Sequence, residues 1–298
     1  MMSPQFPLWT AIVTPMNDFA EIDYDSLESI IREQEVAGNG ILILGSTGEG
    51  LNLNLEEKQE IVKFTKALNP VVPVMVGIGG FNLEAQIESI KFCDDQKVDA
   101  FLLVQPIYAK PGKIGQYTWF KSLMNETKTP CMIYNVPSRA GRKMDPEVPA
   151  MLFKEFDHYM GLKEASGSIA DFTTFRDAAP EAPLYCGDDN LIKEFVQLGA
   201  VGHVSVASNA WPKQTKTYFE LAVKGETTTL FDEWVTCADL LFDAPSPSPV
   251  KALLFHKGWI NTDQVRLPLM REDLSSETEE ALIEADRKIN AWFKMTTG

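Results

Sequence analysis

Short apolar segments alternate along most of the chain with longer segments in which apolar residues recur at spacings of three and four. An uninterrupted apolar run is typical of a strand buried on both faces, whereas the three-and-four spacing predicts an amphipathic helix. We therefore predict about eight strands separated by helices. The predicted strands lie at residues 8–15, 40–45, 73–78, 100–105, 131–136, 159–167, 184–187 and 201–207.

Capping residues indicate where the first helices begin. Asp23 precedes a helix that should end at Gly38, and Asn54 with Glu57 forms a capping-box sequence at the start of the next helix. The first helix is predicted to bury an apolar face made of Leu27, Ile30, Ile31 and Val36. Further helices are predicted at residues 82–96, 114–126, 171–179 and 191–198, after residues 145–146, and from residue 212 onward.

This alternation of strands and helices predicts parallel βαβ units. About eight units in ~200–250 residues is the size of a (β/α)8 barrel. The alternative α/β fold, a doubly wound open sheet, would need a nucleotide-binding fingerprint. The sequence GSTGEG at residues 45–50 resembles a phosphate loop, but it has neither the Lys-Ser/Thr ending nor the Gly-x-Gly-x-x-Gly spacing. We therefore expect the barrel.

The last part of the chain is predicted to add helices to the barrel. Helical patterns occur at residues 230–242, 250–257 and 278–293, and a proline-rich segment separates the first two. We expect a catalytic barrel over residues 1–225 and a helical extension over residues 226–298 that packs on it.

Composition narrows the possible partners. The 298-residue chain is 45% hydrophobic and 23% charged, with a formal net charge of -15 and a pI near 4.7. This acidity argues against nucleic acids and anionic membranes as partners, and it means that an anionic substrate needs a local positive site. The four cysteines form no Cys-x-x-Cys pair, and neither a signal peptide nor a membrane-length apolar run is visible. We expect a cytoplasmic protein.

Lys163 stands inside the sixth predicted strand and is the first candidate for chemistry. Lysine is rarely buried without a partner or a use, and burial favours its neutral amine. A neutral lysine amine forms Schiff bases with carbonyl substrates. On this segment alone, a lysine that extends its ammonium to solvent is an equally good interpretation.

Active sites of such barrels lie at the carboxyl ends of the strands, and polar residues are concentrated at those positions here. Each has an ordinary structural alternative. Ser46 and Thr47 could cap the following helix, and Tyr134 could be a core residue. Arg139 could be a surface residue or could bind a carboxylate. Asp188 and Asp189 could begin a helix or form an acid pair. His158, His203 and His256 are too dispersed to indicate a metal site, so no metal is expected.

Six segments together carry a family resemblance over essentially the whole chain. The chain is similar to the dihydrodipicolinate synthase and N-acetylneuraminate lyase family, which implies a (β/α)8 barrel and a class I aldolase mechanism. The segments are GSTGEG (45–50), YNVPSRAG (134–141), GLKEASG (161–167), YCGDD (185–189), GHVSVASN (202–209) and SPVKALL (248–254).

The resemblance implies a role for four catalytic candidates. Lys163 matches the Schiff-base lysine that binds pyruvate, and Tyr134 matches the proton-transfer residue beside it. Ser46 and Tyr108 match the other members of a hydroxyl relay. In this family the relay tyrosine comes from a neighbouring subunit, so the resemblance also implies a homo-oligomer, commonly a dimer of dimers.

Four further residues match substrate-binding positions. Thr47 corresponds to the residue that holds the pyruvate carboxylate, and Arg139 to the residue that binds the carboxylate of L-aspartate 4-semialdehyde. Gly187 and Val204 correspond to positions that make backbone contacts. No metal or diffusible cofactor is implied.

Arg139 favours the branch of the family that uses aspartate semialdehyde, because sialic-acid and sugar-acid lyases usually lack arginine there. Two residues depart from the pattern of this branch. Ser46 replaces the threonine usual in that branch and is also the pattern of the sialic-acid lyases, and Ala140 replaces a common threonine. The alternatives are another pyruvate-dependent aldolase of the family or, less favoured, a keto-acid-binding protein without catalysis, which would be expected to lose Lys163 or Tyr134.

The matching positions of the family's lysine-inhibition pocket have changed. The side chains that recognise lysine correspond here to Leu55, Lys58, Phe81, Ala85 and Ile107. Ala85 removes the carboxylate that would pair with an amine, and Lys58 adds a positive charge. We therefore expect free lysine to bind weakly or not at all.

Overall fold

A computed structural model describes residues 6–298 of the chain. Eight parallel strands form a closed barrel in which each strand pairs with the next and the last pairs with the first. This confirms the predicted (β/α)8 class and excludes the open sheet. The strands are β1 (Leu8–Ala11), β2 (Gly40–Ile43), β3 (Val74–Ile78), β4 (Ala100–Val104), β5 (Cys131–Asn135), β6 (Tyr159–Glu164), β7 (Leu184–Cys186) and β8 (Gly202–Ser205).

Twelve α-helices occur between residues 6 and 298, and short 3-10 turns add to them. None of these helices is both long and apolar enough to cross a membrane. The helices are α1 (Tyr24–Ala37), α2 (Leu55–Ala67), α3 (Leu83–Asp95), α4 (Lys113–Met124), α5 (Pro137–Ala140), α6 (Glu147–Glu155), α7 (Ile169–Ala178), α8 (Ile192–Gln197), α9 (Pro212–Lys224), α10 (Trp234–Asp239), α11 (Ser248–His256) and α12 (Ser276–Thr297).

The predicted helix starts are confirmed, and one predicted core residue is wrong. The Asp23 side chain accepts a hydrogen bond from the Ser26 amide, and the Asn54–Glu57 capping box is present. Val36, however, is 66% exposed. It lies five residues after Ile31, and at ~100° per residue this turns it roughly 140° away from the buried face.

Several boundaries differ from the predictions. The strand predicted for residues 8–15 ends at Ala11, because the backbone then leaves the sheet and the Val13 amide donates to Asn209. The helix predicted from residue 230 begins only at Trp234. The one-turn helix α5, directly after β5, has no counterpart in the predictions.

The core has two layers, which the alternation of side chains along each strand separates. Met132, Tyr134 and Val204 point into the barrel, and Cys131, Ile133 and Leu162 pack outward against the helices. In β6, Lys163 therefore points inward and Glu164 points outward. The catalytic candidates therefore lie in the inner layer, and the residues that support them lie in the outer layer.

The C-terminal helices pack against the barrel and its early helices. Trp211 in the β8–α9 connection donates to Asp286 of α12, and Lys251 of α11 forms a fully buried ion pair with Glu49 after β2. The boundary expected at residues 225–226 falls at the left-handed Gly225 that ends α9. The division of the chain into two units there stays a prediction.

Candidate active site

Lys163 lies inside the barrel near the carboxyl end of β6 and is 5% exposed. The register of β5 and β6 places it opposite Tyr134, and its Nζ lies 4.5 Å from the centroid of the Tyr134 ring. The ammonium therefore does not extend to solvent, which answers the alternative left open by the sequence.

Burial lowers the pKa of Lys163 from its ordinary value of 10.5 to about 8, because the ammonium loses solvation inside the barrel. The negative charges of Asp188 and Asp189 act in the opposite direction and raise the pKa, while the positive charge of Arg139 lowers it. The result is an amine with a substantial neutral fraction near neutral pH, which is the form that attacks a carbonyl.

Tyr134 is buried beside this lysine, and burial raises the pKa of its phenol to about 12. The Arg139 charge and the Ser46 side chain oppose that rise. A cavity of about 260 Å³ reaches Tyr134, Ser46 and Arg139 together. Tyr134 therefore keeps its proton at neutral pH and can donate or relay it within the cavity.

The loop after β2 holds Ser46 and Thr47 in a strained backbone. Leu44 and Glu49 both adopt positive φ, at 58° and 52°, and the Thr14 hydroxyl donates to the Gly48 carbonyl at 2.7 Å. The cap of α2 is Asn54, so neither Ser46 nor Thr47 caps that helix. Strained loops of this kind persist only where the surrounding structure holds them, and they are concentrated at functional sites.

Gly187 packs against Lys163 so closely that any larger residue would force its neighbours to move. A β-carbon there would lie 2.9 Å from Lys163 Cε and 2.8 Å from the Glu164 carbonyl oxygen. Val204 is fully buried in the inner layer with Tyr134. Gly187 therefore shapes the space beside the lysine, and Val204 contributes to the packing of the inner layer.

Arg139 lies on α5 at the opening of the cavity, with its side chain exposed. The segment that carries it is anchored at its far end, because the Met144 amide donates to Asn135 Oδ1 at 2.9 Å. An exposed guanidinium above a buried amine can bind the carboxylate of a molecule entering the cavity.

Tyr108 lies outside the cavity of its own chain. It is 90% exposed and has a positive φ of 66°. The single chain therefore brings together Lys163, Tyr134 and Gly187, and around the cavity Ser46 and Arg139, but not Tyr108.

Two buried carboxylates beside the site were not predicted as functional residues. Asn135 Nδ2 donates to Glu164 Oε2 at 2.6 Å, and burial raises the pKa of Glu164 to about 7. Asp189 accepts from His203 and Ser205, and also from the amides of residues 206 and 207. A charged residue within an apolar strand, or directly after one, is the sequence signal that could have identified both.

Asp188 and Asp189 were left open as a helix start or an acid pair. Asp188 precedes a 3-10 turn, but its side chain makes no capping bond and instead accepts from the Gly167 amide at 2.9 Å. The two carboxylates therefore accept hydrogen bonds from different parts of the chain. Within residues 6–298, no group of three or more His, Cys, Asp or Glu side chains is arranged to hold a metal ion.

The cavity continues toward the positions matched to the lysine-inhibition pocket. Leu55, Lys58, Ala85 and Ile107 line it, whereas Phe81 is exposed outside it. Burial lowers the pKa of Lys58. The weak binding of free lysine stays a prediction.

Comparisons with known proteins show the family of the chain and its fold. A profile described as the Dihydrodipicolinate synthetase family matches residues 6–285. The chain is similar to the 4-hydroxy-tetrahydrodipicolinate synthase of Francisella philomiragia, with 44% identity over 288 residues and 96% of both chains covered. Its fold is similar to that of the 4-hydroxy-tetrahydrodipicolinate synthase from Methylacidiphilum fumariolicum SolV, with a TM-score of 0.90, 30% identity and 98% of both chains covered.

A third similar protein was solved with a ligand. It is the chloride-inhibited dihydrodipicolinate synthase from Acinetobacter baumannii, complexed with pyruvate. The TM-score is 0.88 at 31% identity, and the alignment covers 96% of this chain and 99% of that one.

Proposed function

The chain belongs to the Dihydrodipicolinate synthetase family, and from this membership we propose that it is a lyase of the class I aldolase type. It condenses pyruvate with L-aspartate 4-semialdehyde to give 4-hydroxy-tetrahydrodipicolinate in the diaminopimelate route to lysine. The observation that carries the proposal is a buried lysine amine, Lys163, lying 4.5 Å from the ring of Tyr134. The names of the similar proteins support the reaction.

The first half of the reaction takes place on Lys163. Its neutral Nζ attacks the ketone carbon of pyruvate, and loss of one water gives an iminium ion bound to the chain. The positive iminium withdraws electrons, so a proton leaves the methyl group and an enamine forms. A pKa of about 8 provides the neutral amine, because burial in the barrel disfavours the ammonium.

The second half joins the two substrates. The enamine carbon attacks the aldehyde carbon of the semialdehyde, and the new alkoxide takes up a proton. The amine of the second substrate then replaces Lys163 at the iminium carbon, which closes the ring and frees the lysine. Tyr134 transfers the protons, and Ser46 and a Tyr108 from a second chain extend the relay.

The substrate carboxylates are assigned to different parts of the site. Thr47 is almost fully buried in the strained loop after β2 and holds the pyruvate carboxylate. Arg139, exposed at the cavity opening, binds the carboxylate of the semialdehyde. A guanidinium suits a carboxylate, whereas a sugar chain would need several hydroxyl-binding groups.

Borohydride trapping tests the covalent step. Incubation with pyruvate and borohydride should give one pyruvyl adduct per chain, and peptide mapping should locate it on Lys163. The chain provides a matched control, because Lys251 is also fully buried but is paired with Glu49. An adduct on Lys251, or a full adduct in Lys163→Met, would contradict the assignment.

Turnover tests the second substrate. We expect product from pyruvate with L-aspartate 4-semialdehyde and none from pyruvate with N-acetylmannosamine. An adduct on Lys163 with turnover of the sugar alone would retain the mechanism and assign the protein to the lyase branch. The absence of any adduct would support a keto-acid-binding protein.

We also propose that the protein is at least a dimer in which Tyr108 completes the partner's site. Its 90% exposure and positive φ support this, because a strained and exposed aromatic side chain is unexplained within one chain. Mixing Tyr108→Ala with Lys163→Met chains should restore activity above that of either variant, since one site per mixed dimer is intact. A fully active monomer in sedimentation, or no restoration, would refute it.

We place the protein in the cytoplasm. The four cysteines are all free and buried, which suits a reducing compartment.

A further inference from the structure

The two central residues of the site, Tyr134 and Lys163, are each followed by a residue that faces the outside of the barrel. Strand register pairs Asn135 with Glu164, next to the pairing of Tyr134 with Lys163. Asn135 Nδ2 donates to Glu164 Oε2 at 2.6 Å, and neither side chain is exposed to solvent. A buried polar pair therefore lies directly behind the catalytic pair.

This outer pair holds the two loops that follow β5 and β6. The Met144 amide donates to Asn135 Oδ1 at 2.9 Å, which anchors the end of the segment that carries Arg139. The Ser166 amide donates to Glu164 Oε1 at 3.1 Å, which anchors the turn after Lys163. One connected group of hydrogen bonds thus links the strand register to both loops.

We propose that Asn135 and Glu164 are positioning residues that set Lys163 and Tyr134 against each other and hold the Arg139 segment over the cavity. Neither faces the cavity, so both act through the residues that they orient. This inference rests on the proposed function, and it adds to that function a supporting role for two residues that lie outside the cavity.

The hydrogen-bond pattern makes the proposal testable, because it requires one carboxylate and one amide. In Glu164→Gln, the single oxygen of the new amide can accept from Ser166 or from Asn135, but not from both. If Asn135 rotates its amide to accept from Gln, its nitrogen then opposes the Met144 amide. Every arrangement of this variant leaves two donors facing each other, fully buried at Asn135 or Met144 and partly buried at Ser166, which is costly.

The exchange variant Asn135→Asp/Glu164→Gln restores every bond. The new aspartate accepts from Met144 with one oxygen and from the new glutamine amide with the other. The glutamine oxygen then accepts from Ser166. The exchange moves the negative charge from position 164 to position 135 on the neighbouring strand and keeps the shape of the pair. In Asn135→Asp alone, two carboxylates face each other across the 2.6 Å contact.

The experiment compares wild type, both single variants and the exchange variant at about pH 8, where Glu164, with a pKa of about 7, is mostly ionised. The readouts are the rate of pyruvate trapping on Lys163, KM for each substrate and the thermal midpoint. Thr10→Val is the matched control. Thr10 lies on β1, which does not adjoin β5 or β6, and the variant removes the buried 2.7 Å hydrogen bond that Thr10 donates to Gln34 of α1.

We expect Glu164→Gln to slow trapping ~10- to 100-fold, the cost of misplacing reacting groups by about an ångström. KM for the semialdehyde should also rise, and the exchange variant should recover most of both losses. Thr10→Val should lower the thermal midpoint and leave trapping unchanged. If Glu164→Gln does not fold, Asn135→Ser, which keeps the carboxylate, serves as the second variant and should slow trapping as well.

Two results would overturn the inference: wild-type trapping and KM in a folded Glu164→Gln or Asn135→Ser, or an exchange variant as slow as the single ones. Failure of the proposed function looks different, because wild-type protein would then give no pyruvyl adduct, or would give the adduct without turning over the semialdehyde.

Discussion

The charge of Asp188 should set the pH at which Lys163 becomes reactive. Burial lowers the pKa of Lys163 to about 8, and the Asp188 carboxylate is the largest influence in the opposite direction. Asp188→Asn removes that negative charge while its side-chain oxygen can still accept from the Gly167 amide. Without the anion the ammonium is less stable, so the pKa of Lys163 should fall further.

The magnitude follows from the neutral fraction of the amine. At pH 7, a lysine with its ordinary pKa of 10.5 is ~0.03% neutral, whereas one with a pKa of about 8 is roughly a tenth neutral. Loss of a charge facing a buried amine should move the midpoint from about pH 8 to ~pH 7. Relative to its own plateau at high pH, trapping at pH 7 should then rise ~5-fold.

The assay is the initial rate of borohydride trapping with pyruvate, measured across the pH range and normalised to the high-pH plateau. Asp177→Asn is the control, because it removes the same charge from an exposed site on α7. Its midpoint should equal that of wild type. A midpoint for Asp188→Asn at or above the wild-type value would refute the electrostatic reasoning.

Four further predictions concern the surroundings of the site. Lys251→Met should lower the free energy of unfolding by ~3–5 kcal/mol, because it leaves Glu49 buried without its partner. Adding Glu49→Gln to this variant should recover part of the loss in thermal unfolding. An unchanged thermal midpoint for Lys251→Met would contradict the prediction. Arg139→Ala should raise KM for the semialdehyde and leave the high-pH plateau of pyruvate trapping intact, although loss of its positive charge should shift the trapping midpoint to higher pH; an equal loss in KM and in the plateau would reject its role at the cavity opening. Gly187→Ala should slow trapping ~100-fold, since its methyl group would collide with the lysine stem; wild-type trapping would show that the site can relax. Millimolar lysine should leave turnover unchanged, because Lys58 adds a positive charge to the matched pocket, and clear inhibition would reject that expectation.

The location of the site could be predicted from the sequence, but the residues that hold the site in place could not. Lys163 and Tyr134 could be identified from the sequence, because each lies in an apolar strand that is followed by a polar turn. Glu164 stands beside Lys163 in the sequence, but its partner Asn135 is 29 residues away and becomes visible only through strand register. The same is true of Asp189, whose four donors come from β8 and the turn after it.

The structure also corrected two predictions made from local patterns. Val36 is apolar and lies in a helix as predicted, yet the turn of that helix places it in solvent. The strand predicted for residues 8–15 is mostly apolar, yet only residues 8–11 remain in the sheet, because the chain must leave the barrel to build the loops at its rim.

The sequence by itself determined the eight strand–helix units, the capped helix starts, the family and the residues around which the chemistry is built. These depend on side-chain periodicity and on short motifs, which are properties of neighbouring residues. Only the tertiary structure decided that Glu49 pairs with Lys251 across 202 residues, that Asn135 supports Glu164, and that Tyr108 lies away from its own cavity. Closure of the barrel brings distant segments together, and burial then requires each polar group among them to find a partner.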